Sequence, residues 1–416
     1  MVSRHQPTGA PAAVAPSLMR SMNQRLLLER LFDHGPAIRP QLARATGLSL
    51  PTVIAALGDL ERVGLVRPAE RPESLQGRPA AAYEADPTAG TVVGVDIGRE
   101  RLHLLVSDLG GQLLSRLEVR NTAQSADELV EQVEYAVVTA TAQAGVAASA
   151  VTHTVIGSPG VFDAERRSIR FAANLPGWQR TGLADTLASR LGAALTIDND
   201  ANLAAFGEHA YGAARGLRHF AYLTIGTGLG LGLFLDGRVY RGATGAAGEV
   251  GYLPASGSPA PGRPLRSGQT LPPRGALEEA VAADAFVRRA LAQGMPGPLT
   301  AESVFAAARA GDTRALAAVA AVAGELAGLV AGVLAFLDPE VIVVGGGVGQ
   351  NLDLLEPPVL AALEEMTPLR PKLVASALGT EAVVRGAIAT GVIAAREASF
   401  TTRTARPVEP VKPTEA

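Results

Sequence analysis

No cysteine occurs among the 416 residues, which excludes disulfides and thiolate metal sites and removes any need for an oxidising compartment. Aromatic residues make up only 4%, so the core must be built from Ala, Val, Leu and Gly. Charge is also scarce, at 19% against 47% hydrophobic residues, a balance typical of folded chains and not of disordered ones. A continuous apolar leader is missing, because Arg4 is followed by Pro7, Pro11 and Pro16, which interrupt what a signal peptide keeps unbroken. The best membrane-span candidate, Leu316 to Leu337, contains Glu325 and is rich in Ala and Gly, features of a buried helix more than of a span. The cytoplasm is the expected location and no membrane partner is expected. Gly324, Gly328 and Gly332 recur every four residues, so one face of that helix can press close to another, in the core or at a subunit contact.

A chain of this length predicts two or three domains. Residues 1–80 hold ten Arg and six acidic residues, whereas 81–416 hold 27 basic and 34 acidic ones. A basic head on an acidic body points to an anionic polymer as a partner of the head alone. Residues 1–18 and 399–416 read as disordered tails, 19–88 as a small helical domain, and 90–398 as an α/β body.

Within the head, helices are expected at about Asn23–Asp33, burying Leu27, Leu28, Leu31 and Phe32, at Arg39–Thr46, and at Ser49–Val63 with Val53, Leu57 and Leu60 on one face. Ala43 is the small residue two packed helices need, Gly47 supplies the turn, and Val53 plugs the shared core. With GLVRP and AAAYEAD as strands and the loop Arg71–Pro79 as a wing, the pattern is a winged helix–turn–helix. A three-helix protein-interaction module has the same packing, and DNA binding is the favoured reading. The outward face of the third helix offers Ser49, Pro51, Thr52, Ala55, Ala56 and Asp59, none of which reads bases bidentately. Ser49 and Thr52 can hold phosphates, Arg44 adds a cation from the second helix, and Arg78 in Gln76–Gly77–Arg78–Pro79 is placed to probe a minor groove. The expected partner is double-stranded DNA.

From Thr91 strands alternate with helices, and the strands TVVGVDIG, THTVIGSPG, AALTIDND, FAYLTIGTG and EVIVVGGGV end in polar or glycine residues, where α/β folds place their sites. The densest signal is Thr224 to Tyr252, with Gly226, Thr227, Gly228, Gly230 and Gly232 after an apolar strand and Glu249 closing a second glycine cluster. Glycine lets backbone N–H groups approach an anion or a sugar edge. A dinucleotide fold is a poor match, because LGLFLDGRVYRG continues as a strand and hairpin where that fold opens a helix.

Taken in order, VGVDIG, GSPGVFD, AANLPGW, DNDANLAAFGE, LTIGTGLGLGLFLDGRVYRGATGAAGEVGY, RGALEE and VIVVGGGV resemble the ROK family of sugar kinases and sugar-responsive repressors. With the head in front, the resemblance covers about residues 19–395 and is greatest to the repressor branch. It implies an actin-like, hexokinase-like two-lobed body with a sugar in the cleft, and dimers or tetramers. The resemblance places Asn174, Asn199, Asp200, Glu249 and Glu278 at sugar-binding positions, with Asp200 at the kinase's general base. Tyr252 stands beside the sugar where the family has a histidine. Carboxylates and amides suit hydroxyl-rich ligands because each makes several directed hydrogen bonds. Asn199 and Asp200 can also cap the helix Ala201–His209, and ligand contact is the favoured reading.

Departures from the family are concentrated on the phosphate side. Kinases of the family read Asp-Ile-Gly-Gly-Thr-Lys where this chain has Asp96–Ile97–Gly98–Arg99–Glu100–Arg101. Glu100 repels a triphosphate and Arg99 fills the space for backbone approach, so Asp96, Gly98 and the loop Gly226–Gly230 are expected to be vestigial phosphate contacts, with ATP turnover lost and no catalytic residue retained. The zinc-binding His and thiolates of the family are replaced by Tyr252 and by Arg274–Gly275–Ala276–Leu277–Glu278, which leaves no zinc site. The loop Ser256–Leu271, with three prolines, is expected to be mobile. The expected function is a DNA-binding regulator, most simply a repressor, that takes a sugar or sugar phosphate as effector. The alternatives are an active sugar kinase carrying a DNA-binding head and a sugar-insensitive DNA-binding scaffold.

Overall fold

The computed structural model describes residues 16–69, 81–163, 165, 167–172, 175, 177–256 and 274–405. Gln76, Gly77, Arg78, Asn174 and nearly all of the loop expected to be mobile lie outside them. The chain divides into two compact units, one of residues 1–90, 108–112 and 395–416, the other of 91–107 and 113–394.

The first unit opens with α1 (Pro16–His34), β1 (Ala37–Ile38), α2 (Arg39–Thr46), α3 (Leu50–Arg62), β2 (Val66–Pro68) and β3 (Ala82–Ala85). α1 begins well before the expected Asn23, inside the segment expected to be a tail. Leu27, Leu31, Leu42, Val53, Leu57 and Leu60 form its core. Gly47 ends α2 at φ 71°, the left-handed conformation expected of the turn glycine. Ser49 then caps α3 by accepting from the Thr52 N–H. The three strands form an antiparallel sheet in the order β1-β3-β2.

The expected outward face of α3 needs correction. Ala56 and Asp59 are buried. Asp59 accepts from Arg20 Nε at 2.7 Å, Gln24 Nε2 at 2.9 Å and Arg62 Nη1 at 3.1 Å, because the longer α1 brings Arg20 and Gln24 alongside α3. Ser49, Pro51 and Ala55 are exposed as expected, and Leu50 and Ile54 join them.

The second unit holds two five-stranded sheets. The first is built from β4 (Thr91–Ile97), β5 (Arg101–Asp108), β6 (Leu113–Arg120), α4 (Ala126–Gln143), β7 (His153–Ser158), the small hairpin β8 (Val161–Asp163) and β9 (Ser168–Arg170), α5 (Leu183–Leu191) and β10 (Ala194–Asn199). Its strand order is β10-β7-β4-β5-β6, with β10, β7 and β4 parallel. The fully buried Trp178 anchors the loops at this end by donating to Ser158 Oγ at 2.8 Å.

The remaining elements are α6 (Asp200–Tyr211), β11 (Phe220–Ile225), β12 (Leu229–Leu235), β13 (Arg238–Val239), α7 (Ala276–Val281), α8 (Ala283–Ala292), α9 (Ala301–Arg309), α10 (Thr313–Leu337), β14 (Val341–Gly345), α11 (Gly346–Gly349), α12 (Leu352–Met366), β15 (Leu373–Ala375) and α13 (Ala382–Ala405). The sheet order is β13-β12-β11-β14-β15. Among the described residues α10 is the one helix long and apolar enough to span a membrane. One face of it, including Val322, Leu326 and Val330, lies in the core of this unit, and Glu325 accepts from the Ser256 N–H at 3.1 Å. A Cβ on Gly324, Gly328 or Gly332 would meet nothing within 4 Å, so the glycine face does not make the core contact.

α13 runs to Ala405, through seven residues expected to be tail, because its last turns are packed in the first unit. There Phe400 is 2% exposed and Arg403 donates to the carbonyls of Gly64 and Ala89 at 2.9 and 2.7 Å.

Candidate functional site

Parallel register brings the polar strand ends together. Asp96 at the end of β4 stands beside Gly157, and Asn199 at the end of β10 beside Ser158. In the other sheet Thr224 pairs with Gly345. Between these ends lies a cavity of about 270 Å³ whose lining includes Asp96, Asn199, Asp200, Glu249, Tyr252 and Glu278 with the turn Gly226–Gly228. Every expected sugar or phosphate residue within the described residues lines this cavity.

Asn199 is the N-cap of α6. Its Oδ1 accepts from the Ala201 and Asn202 N–H groups at 2.9 and 3.2 Å, and its Nδ2 donates to the Gly160 carbonyl at 3.1 Å. The capping alternative is thus realised, and it fixes where Asp200 points. Asp200 accepts from the Ala201 N–H at 2.7 Å. Behind them Arg241 binds Asp198 at 3.1 and 2.5 Å, which locks the end of β10.

The cavity carboxyls share a poorly hydrated space. Burial, and then the charge of Asp200, push Asp96 up to about 8. Burial raises Asp200 to about 6, with Glu278 and Asp198 adding to it against two backbone hydrogen bonds. Glu249 is raised to about 7 by burial, then by Asp200 and Glu278. Burial also raises Glu278, while the Arg274 guanidinium pulls it down. Like charges in one low-dielectric pocket favour the protonated forms, and protonated carboxyls both donate and accept hydrogen bonds.

The glycines divide by role. A Cβ on Gly226 would meet only Gly347 N at 3.8 Å, and one on Gly228 would come 3.0 Å from Glu278 Oε1, so this turn borders open cavity. A Cβ on Gly230 would press on Ala201 at 3.1 Å, and one on Gly232 would collide with the Ala201 carbonyl. These two let β12 touch α6, and Gly230 lines the cavity as well. Gly98 belongs to the β4–β5 turn: its N–H donates to the Arg101 carbonyl at 2.9 Å, and Asn121 Nδ2 holds its own carbonyl at 2.9 Å. Arg99 and Glu100 form the exposed tip.

Residues without an assigned role in the sequence support the wall or extend it. Arg274 donates to the Thr227 carbonyl at 2.9 Å, to Asp284 at 2.9 Å and to Glu278 at 3.4 Å, tying the glycine turn to α7. A Cβ on Gly275 would collide with the Gly251 carbonyl, and that backbone contact sets Glu278 against the segment of Glu249 and Tyr252. Phe171 packs on Tyr252 with ring centroids 5.7 Å apart, an apolar surface at the edge of an acidic floor. Only the GSPG turn hinted at Phe171: Gly160, at φ +85°, lies against the Arg170 carbonyl. Among the described residues no cluster of three His, Cys, Asp or Glu could hold a metal.

In the first unit Arg44 is exposed near the end of α2. Ser49 and Thr52 are joined through their hydroxyls at 2.8 Å.

The model of the ROK family matches residues 92–391. A glucokinase of Thermotoga maritima is 32% identical over 285 residues, 64% of this chain and 85% of the kinase. The xylose repressor of Bacillus subtilis is 26% identical over 241 residues, 57% of this chain and 61% of the repressor. A crystal structure of a ROK family transcriptional regulator, a homolog of the E. coli MLC protein, superimposes with a TM-score of 0.74 at 22% identity, over 93% of this chain and 99% of that one.

Proposed function

The chain belongs to the ROK family, and from that premise we propose that it is a cytoplasmic transcriptional regulator whose body binds a small carbohydrate and whose first unit binds operator DNA. The observation that carries the sugar half is the cavity itself. Four carboxyls, Asp96, Asp200, Glu249 and Glu278, meet there with Tyr252, and Arg99 is the one cation among its lining residues. Such a floor accepts and donates to hydroxyls and repels a phosphate, so the effector is an uncharged sugar. Asn174 is a further contact in this reading. The DNA half is supported by three helices with a left-handed glycine turn between the second and third and by the xylose repressors among the relatives. That unit acts as a winged helix–turn–helix, with Arg44, Ser49, Thr52 and the segment Gln76–Gly77–Arg78 on the phosphates and grooves.

Regulation requires the sugar to bind the DNA-competent and DNA-incompetent arrangements unequally, by about 1–3 kcal/mol for a useful switch. Two chains pair on a palindromic site, since one small head holds DNA weakly. Repression is the simplest output, and neither zinc nor ATP takes part.

Calorimetric titration of the full chain with D-glucose, D-xylose and glucose 6-phosphate, followed by binding to DNA selected from a random pool with and without the sugar that binds, tests the proposal. Saturable binding of an uncharged sugar that changes DNA affinity about tenfold supports it. Tighter binding of the phosphate ester, or DNA affinity indifferent to a bound sugar, overturns it.

One observation favours the enzyme reading. Asp200 lies at the start of α6 with its pKa near 6, as a general base for a hydroxyl requires, and the turn Gly226–Gly228 is intact. Phosphate transfer from ATP to a sugar, abolished by Asp200→Asn, would establish a kinase carrying a DNA-binding head.

A further inference from the structure

We propose that the carbohydrate is a disaccharide, with one ring on the carboxyl floor and the other stacked on a ledge that Phe171 and Tyr252 form at the mouth of the cavity. This rests on the sugar-binding reading above and names the class of sugar.

The cavity joins two surfaces of unlike chemistry. Asp96, Asp200, Glu249 and Glu278 are partly shielded from solvent, whereas Phe171 and Tyr252 are exposed, at 37% and 36%. Exposed rings scattered singly are ordinary on a protein surface. These two are packed on each other with centroids 5.7 Å and planes 58° apart, and both line the same cavity. Its volume of about 270 Å³ falls just short of the roughly 300 Å³ at which sites for drug-sized ligands begin. It holds one sugar ring, and a second must lie across the mouth.

The ledge is braced from behind. Phe171 has a φ of 62°, a left-handed conformation that a bulky residue adopts only where its surroundings impose it. Gly160, at φ 85°, lies so close that a Cβ there would collide with the Arg170 carbonyl and come 3.1 Å from the Phe171 carbonyl carbon. The Gly160 carbonyl in turn accepts from Asn199 Nδ2 at 3.1 Å. Arg170 donates to the Thr244 carbonyl at 3.0 Å and holds its guanidinium 5.5 Å from the centre of the Phe171 ring. Thr244 belongs to the glycine cluster that leads to Glu249 and Tyr252, and a Cβ on its neighbour Gly245 would lie 3.0 Å from Val161 Cγ1. The ledge is therefore set against the carboxyl floor before a ligand arrives, and binding has little left to order.

A pyranose carries hydroxyls around its edge and C–H groups on its faces. The hydroxyl edge suits the carboxyls, and the slightly positive C–H groups suit the negative face of an aromatic ring. A second sugar ring on the ledge also removes exposed aromatic surface from water. A free monosaccharide on the floor leaves that surface bare.

Calorimetric titration of the full chain with D-glucose, cellobiose and maltose, and with D-xylose and xylobiose, tests the inference in the wild type and in Phe171→Gly, which accepts the positive φ and removes the ring. The expected result is a wild-type preference of at least about fivefold for one disaccharide over its monosaccharide, cut at least about threefold in the variant. A smaller preference, or a smaller loss of it, overturns the inference and leaves the sugar-binding reading standing. Absence of binding by any of these sugars overturns both. If Phe171→Gly does not fold, Phe171→Asn, which also tolerates that φ, is read by the same criteria.

Discussion

Glu208 and Asp200 sit on the same helix, and both carboxyls are withdrawn from water, but the regions around them treat that burial in opposite ways. Glu208, at 0% exposure, accepts from the N–H groups of Ala213, Leu378 and Ala377 at 2.7, 3.1 and 3.3 Å and from the Ser376 hydroxyl. Its oxygens are fully used, and they clasp the loop after α6 to the segment before α13. At the cavity Asp200 is held by backbone N–H groups at the start of α6, and among the described residues Asp96 and Glu249 accept from none. A buried carboxyl without partners costs stability. The clasp holds the fold, whereas the cavity leaves hydrogen-bonding capacity for something that arrives from outside.

The sharpest way to break this contrast is to truncate one member of each region. Glu208→Ala strands several buried donors and opens a void, so a loss of about 3–5 kcal/mol is expected in urea unfolding. A loss below about 1 kcal/mol would show that the clasp is not structural. Glu249→Ala should change stability little, or raise it, while weakening sugar binding about 30-fold or more by calorimetry, a change of about 2 kcal/mol. Equal damage to stability and binding from this variant would erase the distinction.

The pH dependence sharpens it further. Asp200, Glu249 and Asp96 ionise near 6, 7 and 8 in the folded protein but near 4 in the unfolded chain. Raised carboxyl pKa values contribute stability that is present below about pH 4 and lost as the pH climbs through the folded values. Between pH 5.5 and 8 the wild type should therefore lose stability, and Glu249→Gln should reduce that loss by roughly 1–2 kcal/mol. Burial lowers the pKa of His153, which works with the opposite sign, so the difference between variant and wild type in urea unfolding is the measurement that isolates the cavity. An identical pH profile for both proteins would remove Glu249 from the cluster.

The smallest effect belongs to the first unit. Arg44→Ala should weaken DNA binding about three- to tenfold and lower the salt slope by about one, as loss of one phosphate contact does, without changing sugar affinity. Arg78→Ala should behave similarly. A gel-shift series at several salt concentrations reads both, and an unchanged slope would move these arginines off the phosphate backbone.

Much of this architecture was legible in the chain. Leu316–Leu337 lies in a helix as read, Gly47 makes the turn, and the glycine turn at 226–228 runs into a strand, as excluding a dinucleotide fold required. Periodicity reports which face of an element is apolar, and these elements depend on little else. Asp59 was misplaced because a polar residue at a helical position looks exposed until its partners are known, and Arg20 and Gln24 lie on a helix that begins earlier than its apolar pattern. Arg274 carried no signal, since its three acceptors lie on separate segments.

By itself the sequence determined membership in the ROK family, the alternation of elements, and the residue types gathered at the strand ends, because these follow from local pattern and ordered motifs. Tertiary structure alone decided which glycines border a cavity and which let helices touch, that Asn199 works as a cap, and that one helix serves both compact units. Each of these depends on atoms brought together from distant parts of the chain, and a side chain's role is set by the partners it meets there.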